Sequence, residues 1–168
     1  MGRTESSRAG AARTDERVDV LLVASPGGHL LQLLALRPAW RDFSSAWVTL
    51  DRADARSLLQ QERVYFACGP TNRSIRNLIR NIHVARRLLR RLRPRVVITT
   101  GAGVAVPFAW LAHLAGARVI YVESLSRIDR ASLSLRLISP IADRVYGQWP
   151  EFAEAVPGAR FAGSVFAQ

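Results

Sequence analysis

His29, Glu123 and Arg127 are the side chains of this 168-residue chain whose types and settings suit chemistry best, and each stands just past an apolar run. His29 closes Ser25-Pro26-Gly27-Gly28-His29, which interrupts "VDVLLVA" (18 to 24) before a series of leucines. Residues without Cβ allow positive φ or close approach of a ligand to the backbone. The first amides of a helix are unpaired and attract anions, so a glycine turn opening a helix suits a phosphate. The turn itself needs only the glycines. His29 is the surplus, readable as a general base, an anion ligand, or a helix-start residue satisfied by the backbone. A second such turn, Thr99-Thr100-Gly101-Ala102-Gly103, ends "RVVITT" and precedes a helix with Pro107 in its first turn. Gly101 and Gly103 fit either a polar ligand or close helix-to-strand packing. Glu123 ends "RVIYVE" four residues before Arg127. It reads as a base or hydroxyl ligand kept ionised by that arginine, or as half of an ion pair ordering the loop.

These loops need a frame that brings them to one edge. Apolar, β-branched runs recur at 18 to 24, 45 to 50, 63 to 68, 95 to 100 and 118 to 123, with helix-length segments between them. They read as five strands buried on both faces, in a doubly wound α/β fold whose helices cover a parallel sheet on both sides. Ligands of such sheets sit beyond the carboxyl ends of the strands, where all three loops open.

A composition of 49% hydrophobic and 22% charged residues is that of a folded domain, and 168 residues suit one core. Residues 1 to 17 are polar and aperiodic, which predicts a disordered tail before a single domain over 18 to 168. That tail has no apolar core of a secretory signal. The lone cysteine, Cys68, excludes an internal disulfide. All 24 basic residues are arginine and the net charge is +11, which favours an anionic partner. The segment 71 to 94 predicts one long helix with Leu78, Ile82, Ala85, Leu88, Leu89 and Leu92 on its apolar side. Arg73, Arg76, Arg80, Arg87, Arg90 and Arg91 occupy about 100° of the other. This basic stripe is either a solvated face or a contact for anionic headgroups. Asn81, at the edge of the apolar side, needs hydrogen-bond partners.

Several chemistries are not supported. The first turn lacks the third glycine of a dinucleotide fingerprint and the ending of a P-loop. No metal-ligand spacing and no Gly-x-Ser-x-Gly elbow occurs. Aromatic residues are too sparse in the arginine-rich segment for nucleic-acid readout. Asp143 and Gln148-Trp149 read as structural. The stretch 103 to 117 is too short, at about 15 apolar residues, to span a bilayer.

Taken in order, Gly-Gly-His, Thr-Gly-Ala-Gly, Glu-Ser-x-x-Arg and Gln-Trp resemble the PssD-type polysaccharide biosynthesis proteins over residues 18 to 166. These are bacterial relatives of the membrane-anchoring subunit of the eukaryotic two-part UDP-GlcNAc transferase of lipid-linked oligosaccharide assembly. More distantly, the glycine turns are similar to those of the acceptor-side domain of the MurG-type transferase. The resemblance implies the amino-terminal, acceptor-facing half of a GT-B fold, Rossmann-like, with a separate donor-binding glycosyltransferase subunit holding the UDP-sugar. It implies transfer to an undecaprenyl-pyrophosphate-linked saccharide in exopolysaccharide or capsule synthesis, without a cofactor or metal. Gly27, Gly28, Gly101, Gly103 and Arg127 would then line the acceptor pyrophosphate, with His29 first and Glu123 second as base. Arg76, Arg80, Arg87 and Arg91 would meet an anionic membrane, giving a cytoplasmic protein peripheral on the inner face of the cell membrane. Two other functions remain in view: a non-catalytic scaffold recruiting the donor subunit, and, more remotely, a basic nucleic-acid-binding domain.

Overall fold

The four-residue centre of the first apolar run, Val20–Val23 (β1), is buried throughout and pairs in parallel with a strand on either side. The computed structural model describes residues 16–71 and 74–166. The predicted tail therefore lies, up to residue 15, outside the described residues, as does Arg73.

The other expected strands form at Ser45–Leu50 (β2), Val64–Ala67 (β3), Val96–Thr99 (β4) and Arg118–Val122 (β5). Two more join them, Arg144–Gly147 (β6) and Ala159–Phe161 (β7), so the sheet has seven strands rather than five, all parallel, in the order β3-β2-β1-β4-β5-β6-β7. Helices α1 (Gly28–Ala35), α2 (Ala53–Leu58), α3 (Ile75–Leu92), α4 (Ala105–Leu114), α5 (Leu133–Ile138) and α6 (Pro150–Ala155) alternate with the strands. The chain runs outward from β1 through β2 to β3, then crosses back by α3 to place β4 on the other side of β1. The β1 and β4 carboxyl ends, which carry the two glycine turns, are therefore adjacent.

One face of the sheet is covered over its central strands. Leu88, Leu89 and Leu92 of α3, Phe108 and Ala112 of α4, and Leu135 and Ile138 of α5 pack on Val97, Val119 and Tyr121 in one continuous cluster. The other face departs from the expectation of strands buried on both sides. Its cluster, built on Leu30, Leu33, Trp40 and Trp47, covers β1 and β2. Beyond it, Ile98, Ile120 and Tyr146 are only half-buried and line a pocket of about 450 Å³, bordered by residues 162–165. Burial therefore alternates along β4 and β6, the pattern of strands packed on one side.

The long helix is shorter than predicted. It starts at Ile75 because Ser74 Oγ accepts from the Asn77 amide, a cap of about 1 kcal/mol, and ends at Arg93 in the left-handed region. Its apolar side also differs. Leu78 and Ile82 are exposed, while Asn77 and Asn81 are buried with Ala85, Leu88, Leu89 and Leu92. Asn81 Oδ1 accepts from the Cys68 amide (2.7 Å) and its Nδ2 donates to the Cys68 carbonyl (2.9 Å). Asn77 Nδ2 donates to the Pro70 carbonyl (2.8 Å). The asparagines thus supply partners that the backbone after β3 would otherwise lack, and an apolar side chain there could not.

Candidate functional site

The first glycine turn leaves β1 through Gly27, whose φ of +79° is open to glycine and costly to other residues. Both glycines are exposed, and a Cβ on either would meet nothing within 4 Å. The turn is thus open to approach from outside. It is also braced, since the Gly27 amide donates to Asp54 Oδ2 (2.8 Å) in the first turn of α2. The first intrahelical bond of α1 runs from the Leu31 amide to the Gly27 carbonyl (3.1 Å), so the Gly28 and His29 amides precede the helical ladder.

His29 reaches across to the second turn. Its Nδ1 donates to the Thr100 carbonyl (2.7 Å), and Thr100 Oγ1 donates in return to the His29 carbonyl (2.8 Å). A carbonyl only accepts, so Nδ1 carries the proton, and in the neutral ring Nε2 holds the free lone pair. The bond therefore fixes both ring orientation and tautomer, leaving a nitrogen able to take a proton.

The second turn is built differently. Gly101, at φ +97°, is buried, and a Cβ there would lie 2.9 Å from Ser134 Oγ and 3.1 Å from Tyr121 Cζ. A Cβ on Gly103 would lie 3.0 Å from the Thr71 carbonyl oxygen. Of the two uses open to these glycines, close packing is the one this geometry fills. Between them Ala102 holds φ at +69°, a strained setting for a residue with a Cβ.

Glu123 does not face a cleft. It is fully buried, Oε1 accepts from the Ser124 amide (2.8 Å), and Oε2 accepts from the Ser132 amide (3.0 Å). One carboxylate thus pins both ends of the loop after β5. The predicted pairing with Arg127 is not formed: that arginine is exposed at the loop tip with no ion pair or side-chain hydrogen bond among the described residues. Such a carboxylate organises a loop, and being sealed from an incoming hydroxyl it is poorly placed as a base. Arg127 remains available to an anion.

Sequence reasoning missed Gln32, which couples these parts. Buried one helical turn after His29, it donates from Nε2 to the Glu123 carbonyl (2.6 Å) and accepts at Oε1 from the Leu125 amide (3.2 Å). The signal was a glutamine on the leucine side of α1. Trp149 Nε1 donates to the Leu125 carbonyl (2.7 Å) and Gln148 Oε1 accepts from the Val165 amide (2.9 Å), the structural parts expected of that pair. Asp143 is structural as well. The Val119 amide and Arg118 hold its carboxyl below the usual aspartate range.

The predicted basic stripe is exposed at Arg76, Arg80 and Arg87. Arg91 is engaged by Glu16, so it is not a free contact like the other three. No helix among the described residues is long and apolar enough to cross a membrane.

Comparison with known proteins places the chain as a whole. The family described as "Oligosaccharide biosynthesis protein Alg14 like" matches residues 63–165. The chain is 31% identical to UDP-N-acetylglucosamine transferase subunit ALG14 of Eremothecium gossypii, over 94% of this chain and 84% of that protein. It is 37% identical to the Yarrowia lipolytica protein of the same name, over 48% of this chain and 40% of that one. Among solved structures, Acinetobacter baumannii MurG superposes with a TM-score of 0.70 at 19% identity, covering 89% of this chain and 47% of MurG. The fold thus matches about half of that enzyme.

Proposed function

The chain belongs to the Alg14-like family of oligosaccharide biosynthesis proteins, and from that premise we propose that it is the acceptor-binding subunit of a two-component glycosyltransferase. Its relatives are named as subunits of a UDP-N-acetylglucosamine transferase, which supports a separate donor-binding chain as partner. The acceptor is a saccharide on a lipid pyrophosphate of the undecaprenyl type, in exopolysaccharide or capsule assembly. The complex works on the cytoplasmic side of the membrane.

The observation that carries this reading is the His29–Thr100 hydrogen bond, which holds the proton on Nδ1 and leaves Nε2 without one in the residue that follows the open glycines. In the reaction, the acceptor hydroxyl gives its proton to His29 Nε2 as its oxygen bonds to the sugar carbon and the bond to the nucleoside diphosphate breaks. Proton removal by a positioned base contributes about 10²- to 10⁴-fold. The Gly28 and His29 amides, with Arg127, hold the acceptor pyrophosphate. Glu123 acts at one remove, fixing the Ser124–Ser132 loop, and Gln32 ties that loop to the helix carrying His29. Arg76, Arg80 and Arg87 meet anionic headgroups, each contributing about 1 kcal/mol near a charged surface.

Co-expression with a donor-binding subunit tests this. Membranes containing both chains should transfer sugar from a UDP-sugar, UDP-GlcNAc first, to a lipid-pyrophosphate acceptor, and those containing the donor chain alone should not. Equal transfer with and without this chain would sink the reading.

A further inference from the structure

Arginines gather at the amino-terminal edge of the sheet, opposite the glycine turns, and most of them have partners there. Arg63 donates to Tyr65 Oη and to the Glu16 carbonyl, Arg91 is paired with Glu16, Arg118 is paired with Asp143, and Arg144 donates to the Asp143 carbonyl. Arg93 and Arg95 differ. Both are exposed, and neither forms an ion pair or a side-chain hydrogen bond among the described residues. Together with Arg17, Val18, Asp19 and Ser44 they line a second pocket, of about 440 Å³.

The backbone fixes the walls of this pocket. The Val18 amide donates to the Leu92 carbonyl (3.0 Å), the Asp19 carbonyl accepts from the Arg95 and Val96 amides (3.0 Å each), and the Asp19 amide donates to the Ser44 carbonyl (2.9 Å). The lead-ins to β1, β2 and β4 and the end of α3 thus meet here. Asp19, the one acidic residue of the lining, is committed to Ser44, whose hydroxyl (2.6 Å) and amide (3.2 Å) both donate to its Oδ2. Three guanidinium charges therefore line the pocket against one carboxylate that is already engaged. Arg93 adds a second observation. It holds φ +44° and ψ +54°, the left-handed setting that glycine usually takes at a helix end. The helix has no need of its charge, because Arg90 and Arg91 already stand in the last turn, where cations offset the negative end of the dipole. Backbone strain of this kind collects at ligand clamps.

We propose that this pocket binds a small soluble phosphate compound, a diphosphate or a sugar phosphate, through Arg93 and Arg95, with Arg17 beside them. Guanidinium forks match phosphate oxygens in pairs. The volume falls in the range of small-ligand sites, about 300–1,000 Å³. No aromatic side chain lines the pocket, so it offers no stacking surface to a nucleobase, and the phosphate is what is recognised. The site is separate from the glycine turns. β1 and β4 start at this pocket and end at those turns, and a four-residue strand is about 13 Å long. A bound phosphate clamps the end of α3 to the start of β4, the strand that leads to Thr100.

The test uses the full chain alone with inorganic pyrophosphate, at an ionic strength of about 0.1 M so that diffuse charge effects are screened. Titration calorimetry should show saturable binding that Arg93→Gln and Arg95→Gln each weaken about tenfold and that survives Arg127→Gln. Arg93→Gly separates use from fold. Glycine suits the left-handed setting, so the ligand-free melting temperature should stay level or rise, while the rise that pyrophosphate gives the unaltered chain should shrink. The altered positions are exposed, and an unchanged ligand-free melting temperature verifies the fold of the glutamine variants.

No saturable binding, indifference to both glutamine substitutions, binding lost with Arg127→Gln alone, or a pyrophosphate effect undiminished in Arg93→Gly would each overturn the proposal. Displacement of pyrophosphate by phosphatidylglycerol vesicles or by duplex nucleic acid would overturn it as well, since the occupant would then be a surface or a polymer. No donor, acceptor or partner enters the assay. A chain that binds pyrophosphate here yet supports no sugar transfer would refute the transferase reading and leave this inference standing, and the converse result would sink this inference alone.

Discussion

Two glycine turns lie on neighbouring strands at one edge of the sheet, and their glycines answer opposite needs. Around Gly27 and Gly28 there is empty space where a Cβ would go, and both residues are exposed. Around Gly101 there is none, because Tyr121 and Ser134 occupy it, and Gly103 is pressed on Thr71. A glycine that could sterically accept a side chain keeps the backbone open to something outside the chain. A glycine that could not is there for the chain itself. His29 and Thr100 join the two, so the packed turn acts as the anvil that orients the open turn's histidine.

The largest effect expected from this division is on catalysis. His29→Ala, assayed in the complex with a donor subunit, should lower transfer by about 10²- to 10⁴-fold. It should change stability by only about 1 kcal/mol, the worth of one part-buried hydrogen bond. His29→Asn sharpens the point, since an amide could still donate towards Thr100 yet offers no basic nitrogen. Near-normal transfer by both variants would leave the open turn with a binding role only and favour a scaffold.

The next effect separates the turns directly. Gly101→Ala places a Cβ at positive φ against Tyr121 and Ser134, a clash and a strain that together cost about 2–4 kcal/mol. In a protein of this size that lowers the melting temperature by roughly 5–15 °C. Gly28→Ala has space and an ordinary helical φ, so stability should stay level or rise by up to about 1 kcal/mol, while acceptor binding weakens. Thermal melts of the two variants decide it. A destabilised Gly28→Ala beside a normal Gly101→Ala would reverse the assignment.

The sequence told much of this and misled in instructive places. Runs such as "SAWVTL" and "RVVITT" are dense enough in β-branched residues to be read as strands, and they brought the loops to one edge. "RVYG" and "ARF" escaped notice because short strands near a sheet edge carry little apolar density. Leu78 and Ile82 were misplaced because periodicity assigns apolar residues inward by default. Here Asn77 and Asn81 hold the inner positions through backbone bonds that no periodicity encodes. Glu123 was legible as a special residue but not as a sealed one. Its partners, the Ser124 and Ser132 amides, are set by the path of the loop, and an amide is present at every residue except proline.

The smallest effect probes how tightly the second turn is packed. Tyr121 Oη lies between Ser132 Oγ (3.0 Å) and Ser134 Oγ (2.9 Å), against Gly101. Burial, with the nearby Glu123 charge as a smaller cause, pushes its phenol from the ordinary 10.0 up to about 12. A raised pKa means that the fold holds the neutral phenol more firmly than the unfolded chain does. The corresponding stability is complete below pH 10 and is lost as pH rises towards about 12. In an absorbance titration at the tyrosinate band, one of the three tyrosines should therefore ionise late. Tyr121→Phe should remove that late step, and Gly28→Ala should leave it in place. Gly101→Ala, by forcing the phenol from its seat, should draw it back towards the ordinary value. Simultaneous ionisation of all three tyrosines in the folded wild-type chain would mean that the second turn is as open as the first.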